Sequence, residues 1–176
     1  MTPTRSRSAP SLVLLSSVLL AAAPLAAQRK ATPQPTDPLA HDSVVQLAKA
    51  QLGKRYVSGG DQPSRGFDCS GLIRYVYSAF NLRPPRTSAL QALFGQEVPR
   101  DTAKLRPGDL LTFGYGERVS HIGIYVGNGR YIHASSGTGR VIESLLSRTG
   151  ARVKPWIGAR RLLAARPDSS RLNAAQ

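Results

Sequence analysis

The chain has 176 residues, which is enough for one domain with extensions but short for two domains. It carries 24 Lys and Arg against 10 Asp and Glu, a formal net charge of +14, which favours polyanionic surroundings such as cell-wall polymers. The basic residues are spread along the chain without a dense run or interleaved aromatic residues, so the sequence argues against a nucleic-acid-binding protein.

The first 27 residues have the order of charge and hydropathy that is typical of a secretory signal peptide. Arg5 and Arg7 precede an apolar run over 12–27, and small residues at its end suit cleavage after Ala27. The run is shorter than the roughly 20 residues that cross a bilayer, so we expect no membrane span after cleavage. An uncleaved anchor is the alternative. The interpretation predicts export to the periplasm or the cell wall.

Composition then divides the rest of the chain into three parts. The stretch at 28–41 is polar and rich in proline, which predicts a flexible tether. A single folded domain is expected over 42–163. The polar residues at 164–176 predict a disordered tail.

Within the domain, helices are predicted before strands. Apolar residues at helical spacing predict a first helix that Asp42 or Ser43 caps and that Gly53 ends. Further helices are predicted from Cys69 onward and over 87–94. Strands are predicted over 110–113, 122–126, 130–134, 141–143 and 157–162. This order indicates an α+β fold with an antiparallel sheet.

Cys69 is the only cysteine of the chain, and it lies where a helix is predicted to begin. Asp68 is a residue type that caps helices, and apolar residues follow at spacings of three and four up to Phe80. The free amides of a helix N-terminus, with a cationic histidine, lower a thiol pKa below its usual value of about 8.5. Cys69 is therefore either a nucleophile or a small buried apolar residue. The presence of a base near the thiol would distinguish the two interpretations.

His121 and His133 flank a turn in "SHIGIYVGNGRYIHAS". A two-residue turn at Asn128-Gly129 would direct the imidazoles to opposite faces of the sheet. A three-residue loop at 127–129, with a left-handed Gly129, makes them diagonal neighbours on one face. We predict the longer loop because it collects apolar residues on the reverse face: Ile122, Ile124, Val126, Ile132 and Ala134.

One thiol and two imidazoles predict a catalytic set, in which one histidine is the base and the other orients it. Zinc binding by Cys69, His121 and His133 is the alternative, but the spacing matches no compact zinc signature and a fourth ligand is not apparent. His41, at the end of the tether, is expected to be solvated.

Five segments together resemble the NlpC/p-sixty family of cell-wall cysteine peptidases: "GKRYVSGG", "FDCSGLIRYVY", "PRTS", "LRPGDLLTF" and "SHIGIYVGNGRYIHAS". The resemblance covers residues 44–163. It implies a papain-like α+β fold in which N-terminal helices, one carrying the cysteine, pack on a C-terminal antiparallel sheet that carries the histidines. It implies no cofactor and no metal.

By this resemblance Cys69 is the nucleophile, His121 is the general base and acid, and His133 is the orienting residue. Tyr56 is implied near the reacting carbonyl, where its phenol helps to stabilise the oxyanion. The alternative for Tyr56 is ordinary loop packing.

Three more residues are implied to shape the site or bind substrate, namely Asp68, Ser70 and Ser120. Capping of the helix is an equal alternative for Asp68. Arg86 and Ser88, from the "PRTS" segment, look structural.

The implied function is that of an exported, monomeric peptidoglycan endopeptidase. Its substrate would be a peptidoglycan stem peptide, cut between D-glutamate and a diamino acid or at a cross-link. An N-acetylmuramoyl-L-alanine amidase and a thiol-dependent acyltransferase are alternatives on the same core. A wall-binding module without turnover is the alternative from another class.

Overall fold

Residues 40–150 and 153–163 are described by a computed structural model, and they all belong to one compact unit. The predicted signal peptide at 1–27 and the predicted tail at 164–176 lie outside the described residues, as does the predicted tether up to residue 39.

Three helices and one short 3₁₀ turn are present in these ranges. The helices are α1 (Ala40–Lys49), α2 (Cys69–Ser78) and α3 (Ser88–Gln91), and the 3₁₀ turn is Thr102–Lys104. Apolar residues at spacings of three and four give α1 and α2 one buried face each.

Eight strands form two sheets. They are β1 (Asp61–Gln62), β2 (Gly66–Phe67), β3 (Gln96–Val98), β4 (Leu110–Tyr115), β5 (Arg118–Gly127), β6 (Arg130–Ser135), β7 (Arg140–Leu145) and β8 (Trp156–Arg161). β1 and β2 pair as a small hairpin between α1 and α2. The other six form an antiparallel sheet in the order β3-β8-β4-β5-β6-β7. The predicted α+β class is confirmed.

The main core lies between α1, α2 and one face of the large sheet. The face of β5 and β6 that was predicted to be apolar supplies four fully buried residues to it: Ile122, Ile124, Ile132 and Ala134. A second apolar cluster on the opposite face includes Phe113, Tyr125 and Tyr131. Strand alternation separates the clusters, since successive side chains point to opposite faces.

The start of α1 differs from the prediction. The helix begins at Ala40, so Asp42 and Ser43 lie inside its first turn and neither caps it. Ala40 is fully buried, and the half-buried His41 donates a hydrogen bond from Nδ1 to the Pro107 carbonyl at 2.8 Å. His41 is therefore not simply solvated. Packing against a distant loop lengthens the helix beyond what the local pattern indicates.

Candidate active site

α2 begins at Cys69, as predicted, and Asp68 caps it. The Asp68 carboxylate accepts a hydrogen bond from the backbone N–H of Gly71 at 2.6 Å, which confirms the capping interpretation. Gly71 lets the preceding loop approach closely, because an added Cβ would lie 2.0 Å from the carbonyl oxygen of Gly60. The Cys69 thiol is free and half-buried.

The Cys69 thiol lies close to β5, the strand that carries His121. The backbone N–H groups of Ile122 and Ser70 lie near the sulfur and act to lower the pKa of the thiol. Ile122 directly follows His121 in β5. The start of α2 and the histidine-bearing strand therefore meet at the thiol.

Arg86 holds the turn that carries Cys69. Its guanidinium donates to Asp68 Oδ2 at 2.6 Å and to Ser70 Oγ at 2.9 Å, and the Ser70 hydroxyl donates to Asp68 Oδ1 at 3.0 Å. Burial raises the pKa of Asp68, but hydrogen bonds from Arg86, Gly71 and Ser70 outweigh burial, and the pKa is lowered. Asp68 is thus a fixed carboxylate, paired with Arg86.

The two histidines share one face of the sheet, as predicted. Nε2 of His121 lies 2.7 Å from Nδ1 of His133, a hydrogen-bonding distance. Nε2 of His133 lies 3.1 Å from Oγ of Ser144. His133 is only 8% exposed, and Gly123 leaves room for it, since a Cβ there would lie 3.2 Å from His133 Cβ.

The loop that sets this register differs from the prediction. Gly127 pairs with Arg130, so the connection has two residues, Asn128 and Gly129, with φ of 52° and 67°. A bulge at Val126 then shifts the pairing by one residue. The predicted relation of the histidines holds for a different reason: the extra residue lies in the strand and not in the loop.

Burial lowers the pKa of both histidines from the usual value near 6.5. The pKa of His121 is lowered to about 3, first by burial and then by His133 and Lys154. The pKa of His133 is lowered to about 4, by burial and then by Arg148. Both imidazoles are neutral near pH 7, so either can accept a proton.

The pKa of the Cys69 thiol is raised, contrary to the prediction. Burial raises it most and the Asp68 carboxylate raises it further, while the N–H groups of Ile122 and Ser70, and then Lys154, only partly offset these effects. The helix start supplies donors to the sulfur, but desolvation and a neighbouring negative charge outweigh them. At neutral pH the Cys69 thiol and both imidazoles are therefore uncharged.

Tyr56 and Ser120 lie at the edges of this arrangement. Burial, then the charges of Cys69 and Asp68, raise the pKa of Tyr56, so its half-buried phenol stays protonated and can donate a hydrogen bond. Ser120 is the extra residue of a bulge in the β4–β5 pairing, directly before His121. Bulges re-aim neighbouring side chains, and the bulge at Ser120 immediately precedes the histidine.

Ser144 contacts the histidine pair and was not predicted. The expected strand at 141–143 ended two residues too early, because β7 continues to Leu145. His133 pairs with Ile142, so Ser144 lies two residues along β7 on the same face. Extending the predicted strand by two residues would have placed Ser144 on the same face of the sheet as His133.

Arg148 and Lys154 are two further residues near the site that sequence reasoning missed. They follow β7 and precede β8, outside any recognised motif. Lys154 Nζ donates to the Ser120 carbonyl at 3.4 Å, next to His121. Their position depends on how this loop returns to the sheet, which no local pattern encodes.

A free thiol and a histidine that hydrogen-bonds to a second polar residue are groups that cysteine hydrolases use. Comparison with known families defines the class more closely. The NlpC/P60 family pattern matches residues 53–161, and the chain belongs to this family.

Several known proteins are similar to this chain. Gamma-DL-glutamyl hydrolase of Bacillus subtilis is 45% identical over 103 residues, covering 56% of this chain and 24% of that protein. Murein DD-endopeptidase MepH of Escherichia coli is 36% identical over 135 residues, covering 70% of this chain and 49% of that protein. The chain thus spans less than half the length of either relative.

Among solved structures, an NlpC/P60 family protein from Bacillus cereus superposes with a TM-score of 0.64 and 31% identity. The match covers 70% of this chain and 40% of the Bacillus cereus chain. Within the described residues no group of three or more His, Cys, Asp and Glu side chains is placed to hold a metal ion. A search of the same residues finds no helix with the length and apolar character of a membrane span.

Proposed function

We propose that this protein is a peptidoglycan endopeptidase that hydrolyses an amide bond of stem peptides, with Cys69 as the nucleophile. One observation carries the proposal: in a chain of the NlpC/P60 family, the hydrogen-bonded series His121–His133–Ser144 starts one residue before Ile122, whose backbone N–H lies near the free Cys69 thiol. The names of the two relatives support a bond at D-glutamate or a murein cross-link.

The hydrogen-bond distances suggest which ring nitrogen carries each proton. If His121 is the base, its Nδ1 must be free of hydrogen, so its Nε2–H donates to His133 Nδ1. His133 then carries its proton on Nε2 and donates to the Ser144 hydroxyl. One direction of donation along the series keeps His121 in the tautomer that can accept the thiol proton.

The proposed reaction starts from an uncharged Cys69 thiol and an uncharged His121 imidazole. The Cys69 sulfur attacks the amide carbonyl carbon while its proton passes to His121. The oxyanion accepts hydrogen bonds from the Tyr56 phenol and the Cys69 backbone N–H. Collapse breaks the C–N bond, and His121 returns the proton to the leaving amine. Water then attacks the thioester carbonyl carbon while its proton passes to His121, the C–S bond breaks, and His121 returns the proton to the Cys69 sulfur.

Ser70, Asp68 and Arg86 belong to the rigid support of the nucleophile in this proposal. Their mutual hydrogen bonds of 2.6 to 3.1 Å hold the first turn of α2 against the loop before it. Ser120 shapes the approach to His121. A nucleophile must be positioned accurately, and this network restricts the turn that carries it.

We further propose that the protein is exported through the signal peptide at 1–27 and acts in the periplasm or at the cell wall as a monomer. A net charge of +14 favours association with the carboxylate-rich wall polymer. Determining the N-terminal residue of protein recovered from the cell envelope tests export, and an intact Met1 would contradict cleavage.

Digestion of purified peptidoglycan tests the activity. The parent protein is expected to release peptide fragments. The Cys69→Ala variant is expected to release none above background, although its melting temperature should equal that of the parent. His133→Ala should reduce the rate by about 10²- to 10³-fold, because the base loses its orientation. Equal release by Cys69→Ala would overturn the proposal.

Mass spectrometry of the fragments separates the alternatives. Stem peptides cut internally or at a cross-link are expected. Intact stem peptides released from the glycan would indicate an amidase, and products joined to an added amine would indicate an acyltransferase. Binding to several wall types without any release would indicate a module without turnover.

A further inference from the structure

A cavity of about 340 Å³ opens beside the two histidines; we call it the histidine-side pocket. Phe113 and Tyr131 line it, and their rings pack against the histidines. The ring centroids of Phe113 and His121 are 5.9 Å apart, and those of Tyr131 and His133 are 4.9 Å apart. The pocket therefore adjoins the groups proposed to carry the proton.

The charged residues that line this pocket are all positive. Its lining combines apolar side chains with the cations Arg148 and Lys154, and it includes no acidic residue in the part of the chain that the structure describes. Both cations are exposed, and neither forms an ion pair with an acidic group of the described ranges. By contrast, Arg86, which contacts the start of α2, is already paired with Asp68. The histidine-side pocket thus offers free positive charge next to an apolar wall.

The position of the proton donor relates this pocket to one half of the substrate. His121 protonates the leaving amine in the proposed reaction, so the leaving fragment must lie on the side of His121. Lys154 is on that side, since its ammonium donates to the carbonyl of Ser120, one residue before His121. Tyr56 and Asp68 lie instead around the start of α2, beside the acyl half.

We infer that the histidine-side pocket binds a carboxylate of the leaving residue, with Lys154 and Arg148 as its counter-charges. The inference rests on the proposed function and adds a substrate preference to it. A diamino acid can present such a carboxylate at its α-carbon, when it ends the peptide, or on its side chain. Both sources have the same chemistry, and the apolar wall suits the aliphatic stem of such a residue.

Three synthetic peptides with a common acyl half test this inference. Their leaving residues are lysine α-carboxamide, lysine with a free α-carboxylate, and diaminopimelate with an α-carboxamide and a free side-chain carboxylate. The parent protein is expected to cleave at least one acidic peptide with a kcat/KM about two- to fivefold above that of the carboxamide, as suits exposed ion pairs. The peptide that is preferred identifies the carboxylate. The preference should shrink in 0.5 M salt, because screening weakens exposed charges.

Substitutions assign the preference to the pocket. Lys154→Gln should bring the ratio of acidic to carboxamide kcat/KM close to one, Arg148→Gln should reduce it, and Lys154→Arg should retain it. Lys49→Gln is the matched control: Lys49 is exposed on α1, against the other face of the sheet, and its loss should change neither ratio nor rate.

The outcomes distinguish a failure of the carboxylate site from a failure of the proposed function. Equal cleavage of all three peptides by the parent overturns the carboxylate site and leaves the proposed function intact. A preference that survives in the double variant Lys154→Gln, Arg148→Gln also overturns it. If the parent cleaves neither these peptides nor purified peptidoglycan, the proposed function fails and the inference fails with it.

Discussion

At the scale of single residues, the contact between His121 and His133 is the most informative feature of the site. Two neutral imidazoles 2.7 Å apart can share only one hydrogen, so one donates and the other accepts. In the proposed reaction His121 gains the thiol proton, and its Nε2–H would then donate to His133 as a charged group; such hydrogen bonds are roughly twice as strong as neutral ones. His133 therefore stabilises the charged intermediate more than the resting state.

Ser144 is expected to position His133 through its hydroxyl. Replacing Ser144 with Ala leaves the buried His133 Nε2–H without an acceptor and makes the opposite tautomer competitive, so kcat should fall about tenfold. Ser144→Thr retains a hydroxyl and should restore much of the rate, which a purely structural role would not predict. Steady-state kinetics with a peptide substrate measure both effects.

The control for this prediction is Ser147→Ala, three residues away in the exposed turn after β7. It removes the same hydroxyl without touching the histidines and should leave kcat within a factor of two. A rate for Ser144→Ala equal to that of the control would show that Ser144 does not orient His133.

At the scale of secondary structure, the first turn of α2 depends on how closely it packs against the loop at Gly60. Gly71→Ala places a Cβ 2.0 Å from the Gly60 carbonyl oxygen, a backbone atom that cannot rotate away. Alanine gains about 1 kcal/mol of helix propensity over glycine, but overpacking costs about 1–3 kcal/mol. We expect the clash to dominate and the free energy of unfolding to fall by about 1–2 kcal/mol. Urea unfolding measures it.

Gly137→Ala serves as the comparison, because its added Cβ meets nothing closer than Ser135 Oγ at 3.8 Å. Its free energy of unfolding should stay within about 0.5 kcal/mol of the parent. If Gly71→Ala is as stable as Gly137→Ala, the helix does not pack as closely as described.

At the scale of the whole molecule, the buried histidines make folding depend on pH. Their folded pKa values of about 3 and 4 lie below the unfolded value near 6.5, so the unfolded chain binds more protons in between. Their contribution to stability is complete above pH 6.5 and is lost as pH falls towards 4 and 3. The melting temperature should therefore decrease steadily from pH 7 to pH 4.

The double variant His121→Gln, His133→Gln removes both groups and should flatten this decrease between pH 6.5 and pH 4.5. Asp68, whose pKa is lowered from 3.8, adds a further loss only at more acidic pH, so it does not obscure the comparison. An unchanged slope in the double variant would mean that other groups set the acid stability.

Some features of the protein follow from local pattern alone. Asp68 before an apolar helical stripe predicts the start of α2 at Cys69, because capping and burial of one face act within a few residues. Alternating apolar residues in β5 and β6 predict that His121 and His133 share a face, since the opposite register would expose the core. The α+β class follows from the order of these elements.

The sequence by itself thus determined which chemical groups are proposed for the site and the elements that carry them. Only the tertiary structure decided the bulge at Val126, the contact of Ser144 with His133, and the place of Lys154 beside His121. It also reversed the expected direction of the Cys69 pKa. The physical reason is common to all of these: burial, charge and contact between strands are sums over residues far apart in the chain, whereas periodicity and capping are set by neighbours.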